Sequence, residues 1–312
     1  MAATVVYPIE SATGRGIARL LDDEQRFWRE RLFWDFAPTR RRIEAAFAER
    51  TLEGFIAEDE DGACGYATGS FDGHAAIIGS IFVGERARNA GLEANLASRV
   101  LEGLLRLRPR VLDCQTLFSS APDLIGPFAA RAFTSATRLY MTVDRATWLE
   151  TARSLPPLTR TRPTPRMDVG ALARLVYDAH EAGLALDASS SFDTAAACER
   201  ILRQIVVDNL CGPFDAEASR RVEIEGRTVA ACLITWPLTG VAHVSEVATA
   251  PDARRRGLAR RCLTESLTIA FEQKNATAAT LSVTASNQSA IALYASLGFT
   301  VRIRYGSHVL RQ

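Results

Sequence analysis

Apolar and polar positions follow the same order twice along this chain. In each half, an amphipathic segment precedes two strand-like runs that are joined by a polar turn containing glycine, and a third run and a second amphipathic segment follow. The paired runs are residues 55–57 and 63–67 in the first half, and residues 222–224 and 228–234 in the second. Short runs joined in this way predict β-hairpins. Each half is therefore predicted to contain a helix, a hairpin, a third strand (75–83 or 241–249) and a second helix.

A constant spacing relates the two halves. Four pairs of positions are each 166 residues apart: Arg88 and Arg254, Gly91 and Gly257, Phe128 and Tyr294, Phe133 and Phe299. Agreement at four positions predicts that one domain has been duplicated.

The length and the prolines suggest where the two copies divide. The chain has 312 residues, which exceeds the usual size of one hydrophobic core, and 47% of them are hydrophobic. Four prolines lie between residues 154 and 165, where they predict an extended connector. We expect domains at 1–150 and 166–312, with a linker at 151–165.

The charge balance argues against several classes of partner. The net charge is +1, so no overall field favours binding to nucleic acid or to an anionic membrane. The N-terminus lacks the pattern of a signal peptide, and no stretch approaches the roughly 18 apolar residues of a membrane span. We expect a cytoplasmic protein with no nucleic-acid or membrane partner, while the sequence leaves the oligomeric state open. The six cysteines show no close-paired spacing, which indicates buried free thiols and no metal site.

The third strand of the second half leads into a basic turn. Residues 254–259 read Arg-Arg-Arg-Gly-Leu-Ala and stand where an amphipathic helix begins. The first N–H groups of a helix have no acceptor within it, and the helix dipole adds partial positive charge there. Gly257 would let the backbone approach a phosphate closely, and Ala259 keeps that surface small. This turn is predicted to bind an anion such as a diphosphate.

Two motifs resemble those of the GNAT superfamily of acyl-CoA-dependent N-acetyltransferases. Residues 247–259 resemble its signature, whose core is Gln/Arg-x-x-Gly-x-Gly/Ala. Residues 287–299 resemble its later helix, in which an asparagine precedes an apolar segment ending in Tyr-x-x-x-Gly-Phe. The resemblance predicts an α/β fold class, a mixed sheet flanked by helices, in two tandem GNAT-like domains.

The resemblance also implies acetyl-CoA as the acyl donor, no metal, and an amine of a small molecule as the acceptor. The backbone at the end of the third strand would pair with the pantetheine arm, and the N–H groups of the basic turn would hold the pyrophosphate. Asn287 would bind near the thioester, and Tyr294 would protonate the departing thiolate. The implied donor-binding residues are Val247, Ala248, Thr249, Arg254, Arg255, Arg256, Gly257, Leu258, Ala259 and Asn287.

The acceptor amine must lose a proton to a base. Relatives that resemble this half use a glutamate six residues before the position of Thr249, where this chain has His243. Imidazole can act as a base near neutral pH, so His243 is the expected base and Glu246 the alternative. Glu246 lies on the same strand but, by alternation, on the opposite face, so only one of the two should face the acceptor. His308, a water chain or the absence of a dedicated base are the alternatives.

The first half departs from the motifs that the second half keeps. Glu93 stands at the position of Ala259, where a carboxylate would repel a diphosphate. Phe128 replaces the tyrosine, and Ile77 stands at the position of His243. We expect the first half to be non-catalytic. The alternative functions are acetylation of a protein or peptide amine, and a silent module that senses acyl-CoA.

Overall fold

The computed structural model describes residues 4–88, 91–155, 161–181 and 189–312. Outside this part of the chain lie residues 1–3, residues 89 and 90, residues 156–160 of the predicted linker, and residues 182–188.

Strands and α-helices of the described residues are numbered separately in chain order. The strands are β1 (Val5–Pro8), β2 (Gly54–Asp59), β3 (Gly62–Phe71), β4 (Ala75–Val83), β5 (Val111–Gln115), β6 (Thr134–Asp144), β7 (Arg162–Pro163), β8 (Arg220–Ile224), β9 (Arg227–Leu238), β10 (Val241–Thr249), β11 (Ala278–Thr284) and β12 (Thr300–Arg311). The helices are α1 (Ile17–Phe27), α2 (Ala37–Ala48), α3 (Leu92–Arg106), α4 (Gly126–Ala129), α5 (Arg145–Ala152), α6 (Val169–Glu181), α7 (Ala195–Val206), α8 (Leu258–Thr268) and α9 (Gln288–Ala295).

The chain divides into two compact units. Unit 1 comprises Met1–Thr137 together with Arg304–Gln312, and unit 2 comprises Arg138–Ile303. This division differs from the predicted boundary, because the linker at 151–165 falls within unit 2. The reason is strand pairing: residues 138–144 of β6 pair with β11, and residues 307–311 of β12 pair with β5. The last strand of the first half thus pairs with a strand of unit 2, and the last strand of the second half pairs with a strand of unit 1.

Unit 1 contains a sheet in the order β1-β2-β3-β4-β5-β12. Its strands are antiparallel except for β4 and β5, which run parallel from Ala75 opposite Val111. Helix α3 buries Leu96, Val100 and Leu104 against this sheet. Their spacing of four residues places them on one face of the helix.

Unit 2 contains a sheet in the order β6-β11-β10-β9-β8-β7. Strands β10 and β11 are parallel, and the other neighbours are antiparallel. The turn between β8 and β9 is formed by Glu225 and Gly226, both with positive φ (51° and 78°). Positive φ at both turn residues matches the right-handed twist of a hairpin. Helices α6 and α8 bury Leu172, Val176, Leu263 and Leu267 beside this sheet.

The predicted elements are present in both halves, and each unit is a mixed sheet flanked by helices. The expected α/β fold class is therefore confirmed. Within the described residues, every helix is too short or too polar to cross a lipid bilayer. The six cysteines carry free thiols, of which all but Cys211 are buried.

Candidate functional site

Strands β10 and β11 separate at a β-bulge. Their parallel pairing runs from Val241 opposite Ala278 to Val244 opposite Leu281. On its other edge, β10 changes register against β9 between Val244 and Glu246, which leaves Ser245 as an additional residue. A bulge bends its strand. The bend carries the end of β10 away from β11 and opens the sheet between them.

A cavity of about 580 Å³ occupies this opening. Its walls are residues 244–249 of β10 and 281–284 of β11, the turn before α8, and residues of α9. Arg138 on β6, His180 at the end of α6 and Phe192 also line it. All of these residues belong to unit 2.

The turn before α8 presents backbone N–H groups to the cavity. Arg255 and Gly257 both adopt left-handed conformations, with φ of 58° and 73°, and Gly257 is the N-cap of α8. A Cβ on Gly257 would project into open space, with no heavy atom within 4 Å. Left-handed residues before a helix turn successive N–H groups towards one point, which creates an anion-binding concavity.

The arginines of this turn do not act alike. Arg255 lines the cavity, whereas Arg256 is exposed and does not. Arg254 lines the cavity but donates from Nη2 to the carbonyl oxygen of Ala179 over 2.6 Å, which ties the turn to the end of α6. Arg260, in the first turn of α8, also lines the cavity, although it was not among the predicted donor-binding residues.

The end of β10 presents one edge to the cavity, where the N–H of Val247 donates to Oε1 of Glu246 over 3.1 Å. One edge of Val247, Ala248 and Thr249 pairs with β9, opposite Cys232, Ala231 and Ala230. Backbone groups of a strand alternate between its two edges. The other edge therefore faces the opening, where it can pair with the amide groups of an extended ligand.

Asn287 caps helix α9 at the edge of the cavity. Its Oδ1 accepts hydrogen bonds from the N–H of Ala290 over 3.2 Å and from the hydroxyl of Ser289 over 3.1 Å. Because Oδ1 serves the helix, its Nδ2 amide group is the part that can donate to a ligand.

Tyr294 lies on α9 and lines the cavity, although its side chain is largely buried. Burial raises the pKa of its phenol well above the usual range, and the negative charge of Glu246 raises it further. Arg138 acts in the opposite direction and lowers the pKa of the same phenol. Glu246 and Arg138 line the same cavity as Tyr294.

The two candidate bases occupy different surroundings. Glu246 lines the cavity. His243 is buried and is not part of the lining, and its Nδ1 lies 2.8 Å from the hydroxyl oxygen of Thr280 on β11. Burial lowers the pKa of His243 to about 4, so its ring is neutral at pH 7. His308 belongs to unit 1, where its ring stacks on Phe128 with centroids 4.0 Å apart.

Two features of the lining have no counterpart in the sequence motifs. Arg138 lies on the last strand of the first half, and only the 166-residue spacing, which aligns it with Arg304, marks the position. His180 and Phe192 stack with ring centroids 4.0 Å apart and planes 3° apart, and both line the cavity.

In unit 1, the chain itself uses the corresponding strand edge. The 166-residue spacing aligns Val247 and Thr249 with Ile81 and Val83. Ser120 donates its N–H to the carbonyl oxygen of Ile81 over 3.2 Å, and its hydroxyl accepts from the N–H of Val83 over 2.9 Å. The same hydroxyl donates to Glu93 over 3.0 Å. The edge that borders the cavity in unit 2 is thus hydrogen-bonded within the chain in unit 1.

Comparison with known proteins gives a family match for one segment and a likeness of fold along the chain. Residues 196–299 match the model of the acetyltransferase (GNAT) family. A comparison with curated proteins finds no match. Among solved structures, the chain is similar to a GCN5-related N-acetyltransferase from Sphaerobacter thermophilus, with 19% identity, coverage of 99% of this chain and 95% of that chain, and a TM-score of 0.62.

Other solved structures extend the similarity along the whole chain. A tandem GNAT protein from the clavulanic acid biosynthesis pathway shares 12% identity over 99% of this chain and 98% of its own, with a TM-score of 0.60. A GNAT-family acetyltransferase from Colwellia psychrerythraea shares 12% identity over 99% of this chain and 100% of its own, with a TM-score of 0.53. At identities this low, the comparisons show a likeness of fold. That likeness extends along the chain and confirms the predicted tandem GNAT-like architecture.

Proposed function

We propose that this protein transfers an acetyl group from acetyl-CoA to a primary amine of a small molecule, a proposal supported by the match of residues 196–299 to the model of the acetyltransferase (GNAT) family. The observation that carries the proposal is the cavity of unit 2. It joins the turn before α8, the edge of β10 that lies away from β9, and two groups suited to proton transfer, Glu246 and Tyr294, in one opening.

The pyrophosphate, pantetheine and thioester parts of acetyl-CoA would each contact a different part of this cavity. The N–H groups from Arg255 to Ala259 would hold the pyrophosphate, with charge from Arg255 and Arg260. The cavity edge of 247–249 would pair with the amide groups of pantetheine, which would replace the contact between the Val247 N–H and Glu246. Asn287 would donate to the donor substrate near its thioester.

The chemistry needs one base and one acid. Glu246 would take a proton from the amine, directly or through water, as the amine nitrogen attacks the thioester carbonyl carbon. The carbon–sulfur bond breaks, and Tyr294 would give its proton to the sulfur. The position of Glu246 in the cavity supports it over the buried His243 as the base.

Unit 1 is proposed to be non-catalytic. Phe128 stands at the position of Tyr294 and has no proton to give. Ser120 and Glu93 hold the strand edge that a donor would need. These contacts support the proposal that the site in unit 2 is the functional one.

The proposal is tested by measuring CoA release from acetyl-CoA with a panel of small amines and lysine peptides. Wild-type protein should release CoA with at least one small amine, and Tyr294→Phe should lower kcat by roughly 10²-fold, the usual size of a general-acid contribution. Tyr305→Phe is the matched control, since Tyr305 is also buried but belongs to unit 1.

Two other outcomes would replace this function. Release with peptides alone would indicate a protein or peptide acetyltransferase. Binding of acetyl-CoA without release on any acceptor, and with no effect of Tyr294→Phe, would indicate a silent sensor of acyl-CoA.

A further inference from the structure

Arg138 brings a positive charge to the cavity from the last strand of the first half. It lies on β6 opposite Thr284, the final residue of β11, in the antiparallel register of these strands. Arg138, Thr284 and Tyr294 all line the cavity. The side chain is half-buried and its Nε atom is fully buried, so the guanidinium is partly removed from water.

Burial raises the pKa of the Tyr294 phenol, the charge of Glu246 on β10 raises it further, and Arg138 on β6 lowers it. Among the described residues acting on this phenol, Arg138 is thus the cation. Its charge opposes that of Glu246 at the hydroxyl.

Proton transfer from Tyr294 would create a negative charge in an unfavourable place. When Tyr294 gives its proton to the sulfur, the phenolate remains in a buried site that also contains the Glu246 side chain. A charge without water around it is stabilised chiefly by neighbouring groups of opposite sign. Arg138 is placed to provide that stabilisation.

We propose that Arg138 is a positioning residue for the acid step, with a guanidinium that stabilises the Tyr294 phenolate as the thiolate departs. The inference rests on the proposed function. In the step concerned, the carbon–sulfur bonding pair stays on sulfur, and the Tyr294 proton moves to it. The proton that Glu246 takes from the amine balances the one that Tyr294 loses, so Tyr294 recovers a proton through solvent before the next turnover.

The duplication provides a matched control for this residue. Arg304 is 166 residues after Arg138 and holds the equivalent place on β12. It is exposed and belongs to unit 1. Arg138 and Arg304 therefore share a position in the repeat but differ in which site they can influence.

The test is a double-mutant cycle in the full-length protein, with CoA release as the readout. Arg138→Gln should lower kcat about tenfold, while the Kd for acetyl-CoA, measured by titration calorimetry, changes less than about twofold. Arg138→Lys, which keeps the charge, should recover most of the activity. In the Tyr294→Phe background, Arg138→Gln should cause no further loss, because the group it acts through has gone. Arg304→Gln should match wild type.

The opposite results separate this inference from the function on which it rests. If Arg138→Gln causes the same loss with and without the Tyr294 hydroxyl, the inference fails while the proposed function stands. If wild-type protein releases no CoA with any acceptor, both fail. Thermal melting shows whether each variant is folded. If Arg138→Gln unfolds, the cycle is repeated with Arg138→Met, which keeps the aliphatic part of the side chain.

Discussion

Ser120 accepts a hydrogen bond from the backbone N–H of Val83 over 2.9 Å, at the strand end of unit 1 that corresponds to Thr249 in unit 2. The carbonyl oxygen of Ile81 is likewise bound, by the N–H of Ser120. A pantetheine arm would need these same groups. In unit 1 the chain therefore occupies the groups that the proposed acyl donor would use, whereas the equivalent edge in unit 2 borders a cavity.

The first prediction is that one acetyl-CoA binds per chain, and that Gly257→Val weakens this binding at least about tenfold. Gly257 has φ of 73° and open space where a Cβ would stand, so a valine would project into the proposed phosphate site and strain the turn. Titration calorimetry on the full-length protein gives both the stoichiometry and the Kd.

Gly91→Val is the control, because Gly91 holds the equivalent place in unit 1, with φ of 108° and equally open space. It should leave the Kd unchanged. Two acetyl-CoA molecules per chain, or equal losses in the two variants, would contradict a single site in unit 2.

The second prediction separates the candidate bases. Glu246→Gln should lower kcat by roughly 10²-fold or more, the range of general-base contributions, without a comparable change in the Kd for acetyl-CoA. His243→Asn should keep kcat within a few-fold of wild type, since His243 is buried outside the cavity lining. Its cost should be about 1 kcal/mol of stability, from the lost contact with Thr280. A large fall in kcat for the His243 variant alone would reverse the assignment.

The third prediction concerns a buried carboxyl group in unit 1. Glu24 on α1 accepts hydrogen bonds from the hydroxyls of Tyr66 and Ser80, and burial raises its pKa from 4.5 to about 8. Between these two values the folded protein binds more protons than the unfolded protein, so its stability falls as the pH rises. Glu24→Gln should remove this part of the pH dependence.

Thermal melting from pH 5.5 to 8.5 provides the measurement. The melting temperature of wild type should decrease over this range more than that of Glu24→Gln. The exposed Glu60→Gln variant should follow wild type. Parallel curves for all three proteins would show that Glu24 is ionised in the folded state at every pH of the series.

The fourth prediction tests the support of helix α8, which carries the anion-binding turn. Glu265 on α8 pairs with Arg220 on β8 over 2.9 Å and accepts from the N–H of Thr161 over 2.8 Å, and this ion pair is largely buried. Glu265→Ala leaves Arg220 without its carboxylate and should destabilise the fold by about 3–5 kcal/mol. Glu199→Ala breaks the exposed pair with Arg203 and should cost less than about 1 kcal/mol. Urea unfolding compares them, and similar losses would show that burial of the Arg220 pair is unimportant.

Local motifs predicted much of the fold and part of the site. The turn before α8, Asn287 and Tyr294 meet in one cavity, because each motif fixes a short segment and neighbouring strands bring the segments together. The bulge at Ser245 was not predicted, since it depends on pairing with β9 and not on a residue type peculiar to bulges. The role of Arg254 in binding Ala179 likewise depends on a contact 75 residues away.

Arg138 was not predicted as a residue of the site, because its place there depends on which strands pair across the sheet. Strands β6 and β12 occupy equivalent places in the repeat, so either could pair with β11 as far as local pattern goes. Pairing partners are decided by packing across the whole sheet and not by the alternation within a strand. Because residues 138–144 pair with β11, an arginine of the first half reaches the cavity of the second.

The same exchange of strands sets the order in which the two units can be finished during synthesis. Domains usually fold in the order in which the ribosome makes them. Here unit 2 has its whole sequence once residue 303 has emerged, whereas unit 1, although begun first, still lacks residues 304–312, which complete its sheet. Unit 1 therefore cannot complete its sheet before residues 304–312 are available, and until then the edge of β5 is exposed to chaperones and to pairing with other chains.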